Sequence, residues 1–67
     1  MECKELKGEM AKNKVSIENL ADLLKIHRNS VANKLNGNSS FTVDEAIMVR
    51  DAFFPTKTLE FLFGGNE

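Results

Sequence analysis

Asn29, Asn33 and Asn36 fall four and three residues apart within one short stretch, a spacing that puts all three on one side of a helix. Ala32 lies among them, and Arg28 and Lys34 sit at the start and flank. An asparagine amide can pair bidentately with the N6 and N7 edge of adenine, and an alanine methyl can touch the methyl of thymine. Arg28 can reach a guanine edge or a phosphate, and Lys34 suits a phosphate, which adds affinity without selecting a base. This inventory fits the chemistry of a DNA major groove. The alternative is a solvated helix face, for which asparagine is an odd choice because it is a poor helix former.

Other chemistries find little support. Cys3 and His27 are the only cysteine and histidine, so no internal disulfide and no metal set is expected. Tyr and Trp are absent. The acids fall on exposed helix faces or at caps, with no nucleophile and base grouped and no Gly-rich phosphate loop. We therefore expect no enzyme, no cofactor and no small-molecule ligand.

Net charge is −1, which at first sight disfavours nucleic acid, but the distribution matters more. Positions 23–43 contain no acid and three cations, Lys25, Arg28 and Lys34, while the acids crowd the two flanking segments. One segment is thus clear of anything that repels phosphate, although a gap of this length also arises by chance.

With 67 residues the chain reads as one domain, 1–67, near the lower limit for a core that folds without a staple. No apolar run approaches the roughly 20 residues of a membrane span. Met1-Glu2-Cys3-Lys4-Glu5 lacks the pattern of a signal peptide, and a cytoplasmic location is expected.

The elements that would position the asparagines follow from periodicity and punctuation. Cys3, Leu6 and Met10 mark one face of a first helix over about 2–13; Gly8 weakens it or admits a neighbouring backbone. Ser16 is a good N-cap for a second helix over about 17–24, with Leu20, Ala21 and Leu24 inward and Val15 and Leu20 forming a staple. Lys25-Ile26-His27 is a tight turn plugged by Ile26. A third helix over about 28–36 buries Val31 and Leu35, exposes the asparagines opposite, and stops at Asn36-Gly37. Phe41 can pin the following loop to the core. Thr42-Val43-Asp44-Glu45 is a capping box opening a fourth helix that Pro55 must end. Thr56 or Thr58 can cap a last short helix through Leu59–Phe63, and 64–67 should fray. These elements predict an all-α bundle of about five short helices.

The run Ser16-Ile17-Glu18-Asn19-Leu20-Ala21, the turn with Ile26, Asn29-Ser30-Val31, Leu35-Asn36-Gly37 and Phe41-Thr42-Val43-Asp44-Glu45-Ala46 together resemble the helix-turn-helix of the phage-repressor/Cro (XRE) family, over roughly residues 4–63. The resemblance implies a lambda-repressor-like DNA-binding domain with its helix-turn-helix at about 17–36 and the third helix in the major groove. It implies base contacts from Arg28, Asn29, Ala32 and Asn33. It implies phosphate contacts from the start of the second helix (Ser16, Ile17) and from the Asn36–Ser40 segment, to which Asn38 and Ser39 belong. Lys25, His27, Ser30 and Lys34 complete the phosphate-facing set. Three positions depart from the family pattern. Lys25 stands where Gly is common, and either bears left-handed strain or adopts another turn. His27 replaces the usual Ser or Thr cap and is a weaker one, and serves either as a phosphate contact or as a turn residue. Ile17 replaces a frequent Gln and cannot make a polar brace.

The fourth helix carries two apolar stripes, Ala46, Val49, Ala52 and Phe53 on the expected core side and Val43, Ile47 and Phe54 on another. One helix-turn-helix reads only a few base pairs, so a homodimer on a palindromic double-stranded operator is the expected assembly. Val43, Ile47, Phe54 and Phe61 are candidate dimer contacts, unless the last helix folds back over them. The function expected is that of a small Cro-like or repressor-like transcriptional regulator. The alternative is a protein-interaction module of the same fold, of antitoxin or antirepressor type, favoured by the acidic balance and the apolar tail.

Overall fold

Side-chain caps set the starts of three of the four α-helices in the computed structural model, which describes residues 3–64. The first helix, α1 (Lys4–Asn13), follows Cys3. At α2 (Ile17–Leu24), the Ser16 hydroxyl accepts from the Asn19 N–H at 3.1 Å while the Asn19 side chain accepts from the Ser16 N–H at 2.8 Å. At α4 (Val43–Phe53), Thr42 and Glu45 form the same reciprocal pair, at 3.1 and 3.0 Å. Each box satisfies two backbone donors that a helix start leaves without partners. Between them lies α3 (Arg28–Leu35). The chain closes with a short π-helical turn, Glu60–Gly64, where the Thr58 hydroxyl accepts from the Phe61 N–H at 3.0 Å. No strand occurs among the described residues, and the fold is an all-α bundle of five short helices.

The ends of the first three helices share one device. Lys14, Lys25 and Gly37 take positive φ values of 58°, 59° and 89°. The residue after each returns its N–H to a carbonyl five positions back: Val15 to Met10, Ile26 to Ala21, Asn38 to Asn33. This is the Schellman closure, for which glycine is best suited. Only the third site has it, so α1 and α2 end on strained lysines.

Leu6, Met10, Leu20, Val31, Leu35, Val49, Phe54 and Leu62 form the core, drawn from all four α-helices, the residue after α4 and the π-helical turn. Leu23, Leu24, Ile26, Phe41, Phe53 and Phe63 pack around it. The π-helical turn folds back against α1, and Phe63 meets Phe41 edge-on at 5.2 Å between ring centres.

Several expectations need correction. Helix α1 begins at Lys4 because Cys3 already has non-helical angles; the expected start at residue 2 lies outside the described residues, as do 65–67 of the segment expected to fray. Gly8 admits no neighbour, since a Cβ there would meet nothing within 4 Å. Ala52, placed on the core side by periodicity, is exposed. Phe54 is core at 3% exposure, because α4 has ended at Phe53 and the chain turns inward before Pro55. One acid is buried rather than on an exposed helix face. Glu9 is 6% exposed and is held by Lys12 at 3.4 Å, Lys57 at 3.8 Å and the Asn13 amide at 3.4 Å, as a buried carboxylate requires.

Candidate nucleic-acid interface

α2 and α3 pack against each other across a three-residue turn. Lys25 adopts the left-handed conformation there rather than a different turn, and Ile26 packs half-buried against the core. His27 is the N-cap of α3: its Nδ1 accepts from the Asn29 N–H at 3.0 Å. The ring thus does the work of the Ser or Thr usual at such a position, and this geometry needs an unprotonated Nδ1.

Packing fixes which side of α3 faces out. Val31 and Leu35 are 0% and 3% exposed, so Asn29, Asn33 and Asn36 point to solvent, with Ala32 and Ser30 half-buried at the margins. The far end of α3 is held by the start of α1. The Cys3 N–H donates to the Leu35 carbonyl at 3.0 Å, the Cys3 thiol approaches the Lys34 carbonyl at 3.8 Å, and Lys7 Nζ donates to Asn36 Oδ1 at 2.8 Å. Nothing in the spacing of Cys3 and Lys7 announced this anchor, since it depends on how α1 crosses α3.

The cations expected to meet DNA are not equivalent. Lys34 is largely enclosed: its ammonium donates to the Ser40 carbonyl at 3.0 Å and pairs with Glu45 at 3.3 Å, with side chains 16% and 21% exposed. These bonds compete with the phosphate role expected for it and tie the α3–α4 loop to the start of α4. For Glu45, partial burial pushes the carboxyl pKa up, but the Thr42 N–H and the Lys34 ammonium outweigh that and hold it below its ordinary value. Arg28 is differently placed. Its Nη1 donates to Glu18 Oε2 on α2 at 3.0 Å, with both side chains about two-thirds exposed, at 66% and 63%. Such a pair contributes on the order of a few tenths of a kcal/mol in solvent. Glu18 and Asp22 line a cleft of about 280 Å³ with Ala21, Ile26, His27 and Arg28. The acids nearest the start of α3 thus come from α2, outside the acid-free segment.

Of the remaining candidates, Lys25, Asn38, Ser39 and Ser40 are exposed. The N–H groups of Asn38 and Ser39 are taken by the Asn33 carbonyl at 2.9 and 3.3 Å. The Ser16 hydroxyl is occupied as a cap, and Ile17 at the first position of α2 is 37% exposed. Of the candidate dimer contacts, Val43 is 72% and Phe61 43% exposed, while Ile47 is half-buried. Phe54 is removed from this candidate surface by its place in the core. Phe41, Val43, Ala46, Leu59 and Phe63 border an open, mainly apolar cleft of about 300 Å³.

Among the described residues no cluster of His, Cys, Asp and Glu is suited to a metal ion, and no helix is long and apolar enough to cross a membrane. Comparison with known proteins found no matching family model, no matching protein and no matching solved structure.

Proposed function

We propose that this chain binds double-stranded DNA sequence-specifically, as a small Cro-like or repressor-like regulator, with α2 and α3 as its helix-turn-helix and α3 in the major groove. One observation carries the proposal. α3 is pinned at both ends and along its inner face, while its outer face presents Asn29 and Asn33 to solvent with no acid on the helix. A rigid helix bearing short amides in fixed rotational register is what bidentate adenine recognition needs. Arg28, Asn29, Ala32 and Asn33 are the base-reading set. Ser16, Ile17, Lys25, His27, Ser30, Asn36, Asn38, Ser39 and Ser40 flank it as backbone contacts, with Lys34 acting chiefly through the loop it holds. A homodimer on a palindromic operator supplies the length of site that one module lacks.

Selection of duplexes from a random pool, repeated at raised salt, tests this. A palindromic motif that survives salt supports both the function and the dimer; an enriched single half-site supports the function and rejects the dimer; no enrichment rejects both. The second reading, a protein-interaction module of the same fold, is favoured by the exposed Val43, Met48 and Phe61. A stable heteromeric partner with no salt-dependent DNA binding would establish it in place of the first.

A further inference from the structure

We infer that Glu18 is a positioning residue for base readout: it holds Arg28 in the orientation that lets its guanidinium read a base edge rather than drift to a phosphate. The inference rests on the proposed DNA-binding role and deepens it. Three features of the molecule lead to it. First, the pair is single-ended. Glu18 Oε2 takes one bond, from Nη1, and a guanidinium has five donors in a planar fork, so enough remain to approach a guanine O6 and N7 together. Second, stability does not account for the pair, because both side chains are about two-thirds exposed and such contacts contribute little. Third, Glu18 shares a cleft with Ile26, His27 and Arg28, which belong to the longest stretch of the chain without acids. A carboxylate there repels phosphate and lowers affinity for every duplex alike. Removing freedom from Arg28 is the compensating gain. An unrestrained arginine on a helix start finds a phosphate as readily as a base, and a phosphate contact carries no sequence information.

Asp22, one turn further along α2, and His27 line the same cleft, but Arg28 pairs with Glu18. The side chain at position 18 therefore sets a balance between affinity and discrimination. The carboxylate lowers binding to all DNA and raises the preference for one base pair.

Glu18→Gln tests this in the full chain, because it keeps the shape and removes the charge. Binding of wild type and variant is measured on random duplex DNA and on the selected site, over a range of salt, with each position of the site substituted in turn. Thermal melting of both proteins checks the fold. The expected result is tighter binding to random duplex and a salt slope steeper by about one. Preference at a single base pair should fall by about twofold, in keeping with the small worth of an exposed ion pair, with other positions unchanged. Arg28→Lys should lose preference at that same base pair, since an ammonium cannot bond in a fork, and Glu18→Gln should then have no further effect on it. If Glu18→Gln shifts binding uniformly at all positions, Glu18 is a mere electrostatic neighbour and the inference is overturned. If the wild-type chain selects no duplex, the proposed function itself fails and the inference falls with it.

Discussion

α3 and the segment from α4 to the π-helical turn were both read from periodicity, and they fared differently. On α3 the apolar residues and the asparagines lie where periodicity puts them, Val31 and Leu35 buried and Asn29, Asn33 and Asn36 exposed, while Lys34 is enclosed rather than free at the flank. In the later segment, Phe54 moved from a presumed outer stripe to the core, Ala52 moved from the core side to the surface, and Val43 stayed outside at 72% exposure. The physical difference lies in composition. α3 offers only two large apolar residues and no competing face, so any packing buries the same pair. The later segment offers more apolar surface than one core can use, and shape decides which part is taken.

The largest effect that tests this contrast is in the later segment. Phe54→Ala should destabilise by about 3–5 kcal/mol, enough to unfold a domain this small, whereas Val43→Ser should change stability by less than about 0.5 kcal/mol. Urea titration of both variants decides; equal costs would mean that Val43 is covered in solution and that the two stripes are one surface. On α3 the effect should appear in binding instead. Asn33→Ala should cost about 1–3 kcal/mol at one base pair and raise the urea midpoint slightly, because alanine is the better helix former. A uniform loss over all sequences would mean that the α3 face does not read bases.

Lys34 distinguishes the two regions more finely, since it sits on α3 but is bound to the loop and to α4. Lys34→Ala should lower stability by about 1 kcal/mol, through loss of the bonds to Ser40 and Glu45, with little change in the salt dependence of DNA binding. A flattened salt slope at unchanged stability would restore the phosphate role. The same pair gives a pH signature. Because the folded Glu45 carboxyl holds its proton less tightly than the unfolded one, its contribution is present above the ordinary glutamate range. It is lost as pH falls through the lowered folded value. Urea midpoints measured from neutral to acid pH should therefore decline less steeply in Lys34→Ala than in the wild type.

The smallest effects are gains in the backbone. Gly8→Ala should stabilise by about 0.5–1 kcal/mol, because position 8 is helical, exposed and clear of neighbours. Lys14→Gly should gain about 1 kcal/mol by relieving a left-handed lysine. If Gly8→Ala destabilises instead, α1 approaches another surface in solution, which would point to the assembled state.

The legible parts of this fold were those governed by neighbours in sequence. The bounds of α2 coincide with those read from the Ser16 cap and the apolar spacing. The Thr42–Glu45 box forms as its residue types require, and Gly37 takes the positive φ that ends α3. Each rests on a backbone group finding a partner within a few residues, so a short window of sequence contains both halves of the interaction. His27 as a cap was half-legible: its position marked a helix start, but its chemistry pointed to a weaker cap than the 3.0 Å bond it makes.

What the sequence determined by itself is therefore the number of helices, the bounds of α2, the capped start of α4, the Gly37 stop of α3 and its asparagine-bearing outer face. The tertiary structure alone decided that Phe54 and Leu62 join the core, that Glu9 is buried among Lys12, Asn13 and Lys57, and that Lys34 turns to Ser40 and Glu45. It also decided that Cys3 and Lys7 anchor the end of α3, and that Glu18 meets Arg28 across the turn. Most of these contacts join residues far apart in the chain, and their partners are set by how the helices cross. A charged side chain with several reachable partners takes the one that packing brings within hydrogen-bond distance.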